Sequence, residues 1–170
     1  MPLVTNTDLT PKSPKDSQIE SRYLVLPNHT NHYGTAFGGV IVSWIDSVAV
    51  MVAQRHCGRV SVTVSIDKIS FLAPINVGDH VILKASVNYV GKTSMEVGVQ
   101  VSKENPYTGE VVRATTAYLT FVALDESKKP VPINPIKPET SDEKRRFNNA
   151  AIRVEVRREM GKKLHLRPNV

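Results

Sequence analysis

Cysteine is nearly absent: Cys57 stands alone in 170 residues. An intramolecular disulfide is therefore excluded, and no set of thiolates exists for a structural zinc. Long apolar runs are also missing. The most apolar stretch, residues 40–53, is interrupted by Ser43, Asp46 and Ser47, so it is too short and too polar to span a bilayer. No basic-then-apolar leader pattern follows Met1, and a reducing, cytoplasmic setting is the expectation. There is no G-x-S-x-G elbow, no P-loop and no dinucleotide fingerprint, which argues against an elbow-type serine hydrolase, a P-loop nucleotide hydrolase and a Rossmann dehydrogenase.

What is present describes a folded domain. Apolar residues make up 41% of the chain and charged residues 22%, a globular balance rather than a disordered one. Residues 1–16 are rich in Thr, Pro, Ser, Asn and Lys and read as a flexible lead-in. Residues 20–26 form a first strand stopped by Pro27. The polar loop 28–34 and Gly38-Gly39 introduce residues 40–55, a helix apolar on nearly every side, closed by Gly58. From Val60 the period changes to two, and four strands follow over 60–71, 80–90, 94–103 and 110–124. Their short connections favour antiparallel pairing. Residues 129–138 hold four prolines and read as a stiff linker. Residues 141–163 form a helix with Ser141 as N-cap, and residues 144–163 carry eight Lys or Arg against two Glu. The excess of the +6 net charge is concentrated there, which allows an anionic partner.

Asp46 is the first candidate for chemistry, because a carboxylate on an apolar helix is costly without a partner. It either faces outward, accepts a local hydrogen bond, or serves as a base. Gly38-Gly39 makes a tight turn into the helix, or else exposes unpaired N–H donors to an oxyanion. Asn31 is an Asx-turn residue or an amide that polarises a carbonyl. His29 and His32 lie three apart, but no third ligand follows at metal-site spacing, so no metal is expected.

Several ordered motifs then resemble one family. They are residues 31–39 (N-H-Y-G-T-A-F-G-G), Ser43-Trp44-Ile45-Asp46, residues 70–74 with Val77-Gly78-Asp79, residues 90–95 (V-G-K-T-S-M), and residues 120–125 (T-F-V-A-L-D). Together they resemble the hotdog-fold acyl-CoA thioesterases of the YciA-like and brain acyl-CoA hydrolase-like branch, in register over about residues 20–135. The resemblance implies an α+β hotdog fold, an antiparallel sheet wrapped around one long helix, over residues 17–127. A linker at 128–140 and a basic helix and tail at 141–170 would follow. It implies a dimer with a continuous sheet, further assembled as a trimer of dimers, and hydrolysis of fatty acyl-CoA to acid and coenzyme A. No cofactor is implied, coenzyme A being part of the substrate. The family's catalytic carboxylate falls on Asp46, its loop amide on Asn31 and its oxyanion donors on the Gly38 and Gly39 backbone. Lys92, Thr93 and Ser94 fall near the thiol arm of coenzyme A. The family's usual Arg in that turn is Lys92 here, a point charge without the guanidinium fork. Arg145, Arg146 and Arg153 of the basic helix are further candidates for the phosphates of coenzyme A.

Other readings compete. A hotdog protein that binds acyl-CoA without cleaving it would release no thiol. A hotdog dehydratase needs a histidine beside a carboxylate, a reading that His29 and His32 keep open. A nucleic-acid binder would use the basic helix, but Phe147 is its one aromatic residue, and a solvated charged face explains it as well.

Overall fold

The computed structural model describes residues 9–164. Five strands form one antiparallel sheet in the order β1-β3-β4-β5-β2: β1 (Ile19–Leu24), β2 (Val60–Ile66), β3 (His80–Val90), β4 (Ser94–Glu104) and β5 (Val111–Leu124). One face of the sheet curls around α1 (Gly38–Cys57), which touches every strand. Val81, Leu83, Ala85 and Val87 of β3, Val97, Val99 and Val101 of β4, and Ala117, Leu119 and Phe121 of β5 bury that face. They meet Ile41, Ile45, Val48, Ala49 and Val52 of α1. Each buried Val, Leu, Ile or Phe among them stabilises by about 1.5–3 kcal/mol, which overrides the poor helix propensity of the valines and isoleucines in α1. Gly58 ends the helix in the left-handed conformation, φ 65°, with its N–H on the Gln54 carbonyl.

A second helix, α2 (Ser141–Lys163), crosses the opposite face of the sheet. Its N-cap is Thr140 rather than Ser141, in a reciprocal box with Glu143. Glu96 on β4 is 1% exposed and accepts from Arg153 and Arg157, which clamp α2 to the sheet. Arg157 also reaches Asp67 at 2.5 Å.

Three further expectations differ from the structure. The strand expected over 60–71 stops at Ile66; beyond it only scattered bonds remain, such as Leu72 N–H to the Ala114 carbonyl. Residues 129–138, expected as a stiff linker, are irregular as expected but lie packed on the domain. They form a strap without a strand of its own, with Ile133 in the core and amides bonded to the Ala123 and Lys92 carbonyls. The lead-in is held over residues 9–16: Lys12 exchanges backbone bonds with Pro135 and Lys137, and Pro14 is buried. Residues 1–8 of the expected flexible segment, and 165–170 of the expected tail, lie outside the described residues.

Candidate active site

Asp46 sits half-buried in the third turn of α1, between fully buried Ile45 and Val48. Its Oδ1 accepts a 2.7 Å hydrogen bond from the Thr63 hydroxyl on β2. Oδ2 has no protein partner among the described residues, and Asp46 enters no ion pair there. The carboxylate is thus fixed through one oxygen and open at the other, the form a proton acceptor or nucleophile needs.

Thr63 was not among the sequence candidates. β2 alternates as expected, but the polar side faces the helix: Ser61 is buried and Thr63 half-buried, while Val60, Val62, Val64 and Ile66 are exposed. The signal was a hydroxyl at every second position of a strand; alternation alone does not say which face goes inward.

The oxyanion candidates are at the start of α1. Gly38 and Gly39 are its first two residues, preceded by Phe37 as an N-cap without a side-chain bond. The Val40 and Ile41 amides return to the Phe37 carbonyl, while those of Gly38 and Gly39 find no acceptor among the described residues. Such donors at the positive end of a helix suit a developing negative oxygen. A Cβ at Gly39 would lie 2.4 Å from the Phe37 ring, so glycine lets that ring fold over the helix start.

Asn31 lies in the loop tied to this end of α1. Its Oδ1 accepts from the Tyr33 and Thr35 amides at 2.9 and 3.3 Å, and its Nδ2 donates to Thr35 Oγ1 at 3.0 Å. It therefore makes the Asx turn, and one Nδ2 hydrogen remains for another acceptor. His29 accepts from the Leu26 amide and stands edge-on to Trp44, and His32 packs on Tyr33. No group of three potential metal ligands gathers among the described residues.

One chain does not bring these parts together. Gly39 and Asp46 are separated by seven residues of one helix, roughly 10 Å along its axis. Lys92, Thr93 and Ser94 form the β3–β4 turn, where the Gly91 amide meets the Ser94 carbonyl. That turn lies with the start of β2 and the end of β5, because Val60 pairs with Leu124 and Ser94 with Val122. This is the C-terminal end of α1, opposite to Gly38-Gly39. Arg145, Arg146 and Arg153 are on the far face of the sheet. Arg145 and Arg146 pair with Asp142, and Arg153 grips Glu96 and lies 3.6 Å over the Tyr118 ring.

A profile of the thioesterase superfamily matches residues 33–110. The acyl-CoA thioester hydrolase YkhA of Bacillus subtilis, itself uncharacterised, is 45% identical over 144 residues, 85% of this chain and 84% of that one. The chain belongs to the thioesterase superfamily. Solved thioesterases share the hotdog architecture. An apo-hexameric acyl-CoA thioesterase superposes with a TM-score of 0.87 at 40% identity, covering 93% of this chain and 99% of the other. An acyl-CoA hydrolase from Staphylococcus aureus, solved with butyryl coenzyme A and coenzyme A, gives 0.85 at 38% identity over 91% and 96%. Alanine variants of that hydrolase are also solved, at an aspartate, an asparagine and a threonine. Their order and spacing along its chain are those of Asn31, Asp46 and Thr63 in this thioesterase.

Proposed function

We infer that the chain is an acyl-CoA thioester hydrolase whose reaction centre is assembled from two copies. The observation that carries the chemistry is the Asp46 carboxylate, held at Oδ1 by Thr63 and free at Oδ2. Water attacks the thioester carbonyl as Oδ2 takes its proton, or Oδ2 itself attacks to give an anhydride that water then opens. Both routes need the same free oxygen. The amides of Gly38 and Gly39 receive the carbonyl oxygen as it gains charge, and the spare Nδ2 hydrogen of Asn31 helps to hold the carbonyl. On the first route the bond to sulfur breaks as the tetrahedral adduct collapses, and on the second it breaks as the anhydride forms. On both, the proton of the attacking water passes by way of the Asp46 carboxyl to the departing thiolate, leaving the acid and the thiol of coenzyme A. Water is the other reactant; coenzyme A enters with the substrate and no separate cofactor is required.

Two surfaces support the pairing of copies. α1 leaves Gly39, Ser43, Ser47 and Met51 exposed along one side. β2 is a sheet edge with an exposed apolar face at Val60, Val62 and Val64, and such edges are templates for pairing. Antiparallel pairing of β2 with a second β2 sets two α1 helices side by side in opposite directions. Asp46 of one copy then approaches Gly38-Gly39 and Asn31 of the other. The Lys92-Thr93-Ser94 turn falls at that same end, placed to meet the thiol arm of coenzyme A. The hexameric relatives are in keeping with a further assembly of such dimers. The test is release of free thiol from acyl-CoAs of graded chain length. We expect turnover by the wild type and a loss of about 10²–10⁴-fold in kcat for Asp46→Asn, the range for a lost general base. Near-normal turnover by Asp46→Asn overturns the mechanism. Binding of acyl-CoA without thiol release by the wild type overturns the activity.

A further inference from the structure

A pocket of about 680 Å³ opens between α2 and the face of the sheet turned away from α1. Lys84, Arg113, Arg145, Arg146 and Arg153 border it. Glu20 and Asp142 border it as well, and together with buried Glu96 they leave these cations in excess. Arg145 and Arg146 share Asp142, and Arg153 shares Glu96 with Arg157. Arg113 donates at 2.7 Å to the neutral Gln100 amide oxygen and has no carboxylate partner among the described residues. Lys84 leans towards Glu20 at 3.5 Å. The floor is polar where the face of a sheet under a helix is usually apolar: Ser86 and Asn88 are buried there, and Gly98 carries no side chain. A Cβ at Gly98 would stand 2.3 Å from Asn88 Nδ2, so glycine lets the amide lie flat along the floor.

A polar floor with guanidinium walls does not suit an acyl chain. Guanidinium groups match the paired oxygens of a phosphoryl group, and an excess of cations favours more than one negative charge. The sheet separates the pocket from Asp46 of the same chain, so it is not the reaction centre described above. We propose that this pocket is a second ligand site, which takes a phosphate ester or diphosphate carrying at least two negative charges. Two sources have that chemistry: the phosphates of a coenzyme A whose acyl end reaches another copy's centre, and a separate phosphorylated effector. The first source rests on the hydrolase reading; the existence of the site does not.

The experiment titrates the full chain with inorganic pyrophosphate by calorimetry, for wild type and for Arg113→Gln combined with Arg145→Gln. Both arginines are exposed, and circular dichroism with Tm confirms the fold. Lys84→Gln combined with Arg113→Gln is the second variant, should the first not fold. We expect saturable binding by the wild type, weakened at least tenfold in the variant. No binding by the wild type, or equal binding by both, overturns the proposal. Kinetics then assign the source by comparing acyl-CoA with an acyl-N-acetylcysteamine, which has no phosphate. A loss of kcat/KM at least tenfold larger on acyl-CoA assigns the pocket to coenzyme A. Equal losses on the two thioesters, with pyrophosphate binding still lost, assign it to a separate phosphate ester. A protein that cleaves neither thioester yet shows the pyrophosphate result keeps this site while refuting the hydrolase reading.

Discussion

Thr63 does for Asp46 what no neighbour in α1 does. Ser43 and Ser47 flank the carboxylate in the helix, but each spends its hydroxyl on a backbone carbonyl, those of Val40 and Ser43. The bond from Thr63 therefore selects the orientation of Asp46, and with it the direction in which Oδ2 presents itself. Removing a hydrogen bond to a charged group costs about 1.5–3 kcal/mol. For Thr63→Val, which keeps the shape, we expect kcat to fall by about ten- to a hundredfold with little change in KM. Thr63→Ser should restore most of the rate. A Thr63→Val enzyme with wild-type kcat removes Thr63 from the mechanism. Asp46 was legible in the sequence because a charge within an apolar helix stands out; Thr63 was not. Its strand shows apolar and polar residues in strict alternation, and the ordinary reading turns the valines inward. In this chain Thr63 turns toward Asp46 on α1, so the alternation puts the valines on the other face, where they stay exposed. Arg153 shows a partner the sequence did not announce. A basic residue on a basic helix reads as solvated or ligand-binding; here it also satisfies Glu96, a buried acid on a strand distant in sequence.

At the scale of elements, β3, β4 and β5 followed from period and turns, because each strand there has one face in a continuous core. The strap did not, because prolines announce only what a segment cannot be. Its fixing point is His56 at the end of α1. The imidazole is fully buried; Nε2 lies 2.9 Å from the Asn134 carbonyl and Nδ1 3.5 Å from Ser17 Oγ. A carbonyl only accepts, so Nε2 carries the proton and Nδ1 is the bare nitrogen of a neutral ring. Lys12 Nζ caps the His56 carbonyl at 2.6 Å, and the lead-in, the helix end and the strap meet there. Burial pushes the His56 pKa below the ordinary histidine value. As pH falls, the unfolded chain therefore takes up its proton before the folded one. The contribution of His56 to stability is complete above about pH 6.5 and declines below it, by up to about 1.4 kcal/mol per pH unit, until the folded ring also titrates. Urea unfolding at pH 7.5 and 5.5 should show a larger loss for the wild type than for His56→Gln, which offers an N–H but has no group to titrate. Equal losses in the two proteins would show that His56 does not titrate across unfolding.

At the scale of the whole molecule, the candidate residues of one copy lie apart: Gly38 and Gly39 open α1, and Asp46 stands in its third turn. An oxyanion donor works about 3 Å from the carbonyl oxygen, and the base must reach a water, or the carbonyl carbon, at similar range. The short side chain of Asp46 does not cross roughly 10 Å of its own helix to Gly39. Two antiparallel helices remove the difficulty, because the start of one then lies beside the middle of the other. Subunit mixing tests this directly. Asn31→Ala and Asp46→Ala proteins, each prepared alone, should be nearly inactive. In the proposed two-copy assembly their defects fall on different chains of any one site, so a mixed dimer would hold one doubly defective centre and one that is wholly wild type. Co-refolding the two with different affinity tags, then purifying through both tags in turn, isolates the mixed species. If mixing is random within dimers, half of them are mixed and each carries one intact centre of two, so the unfractionated pool should recover about a quarter of wild-type activity. The doubly tagged fraction should recover about half if it consists of dimers, and about a quarter if it consists of hexamers, nearly all of which carry both tags. Doubly tagged oligomers that remain as inactive as their parents would place Asn31 and Asp46 in the same centre from one chain, and the two-copy assembly would be wrong.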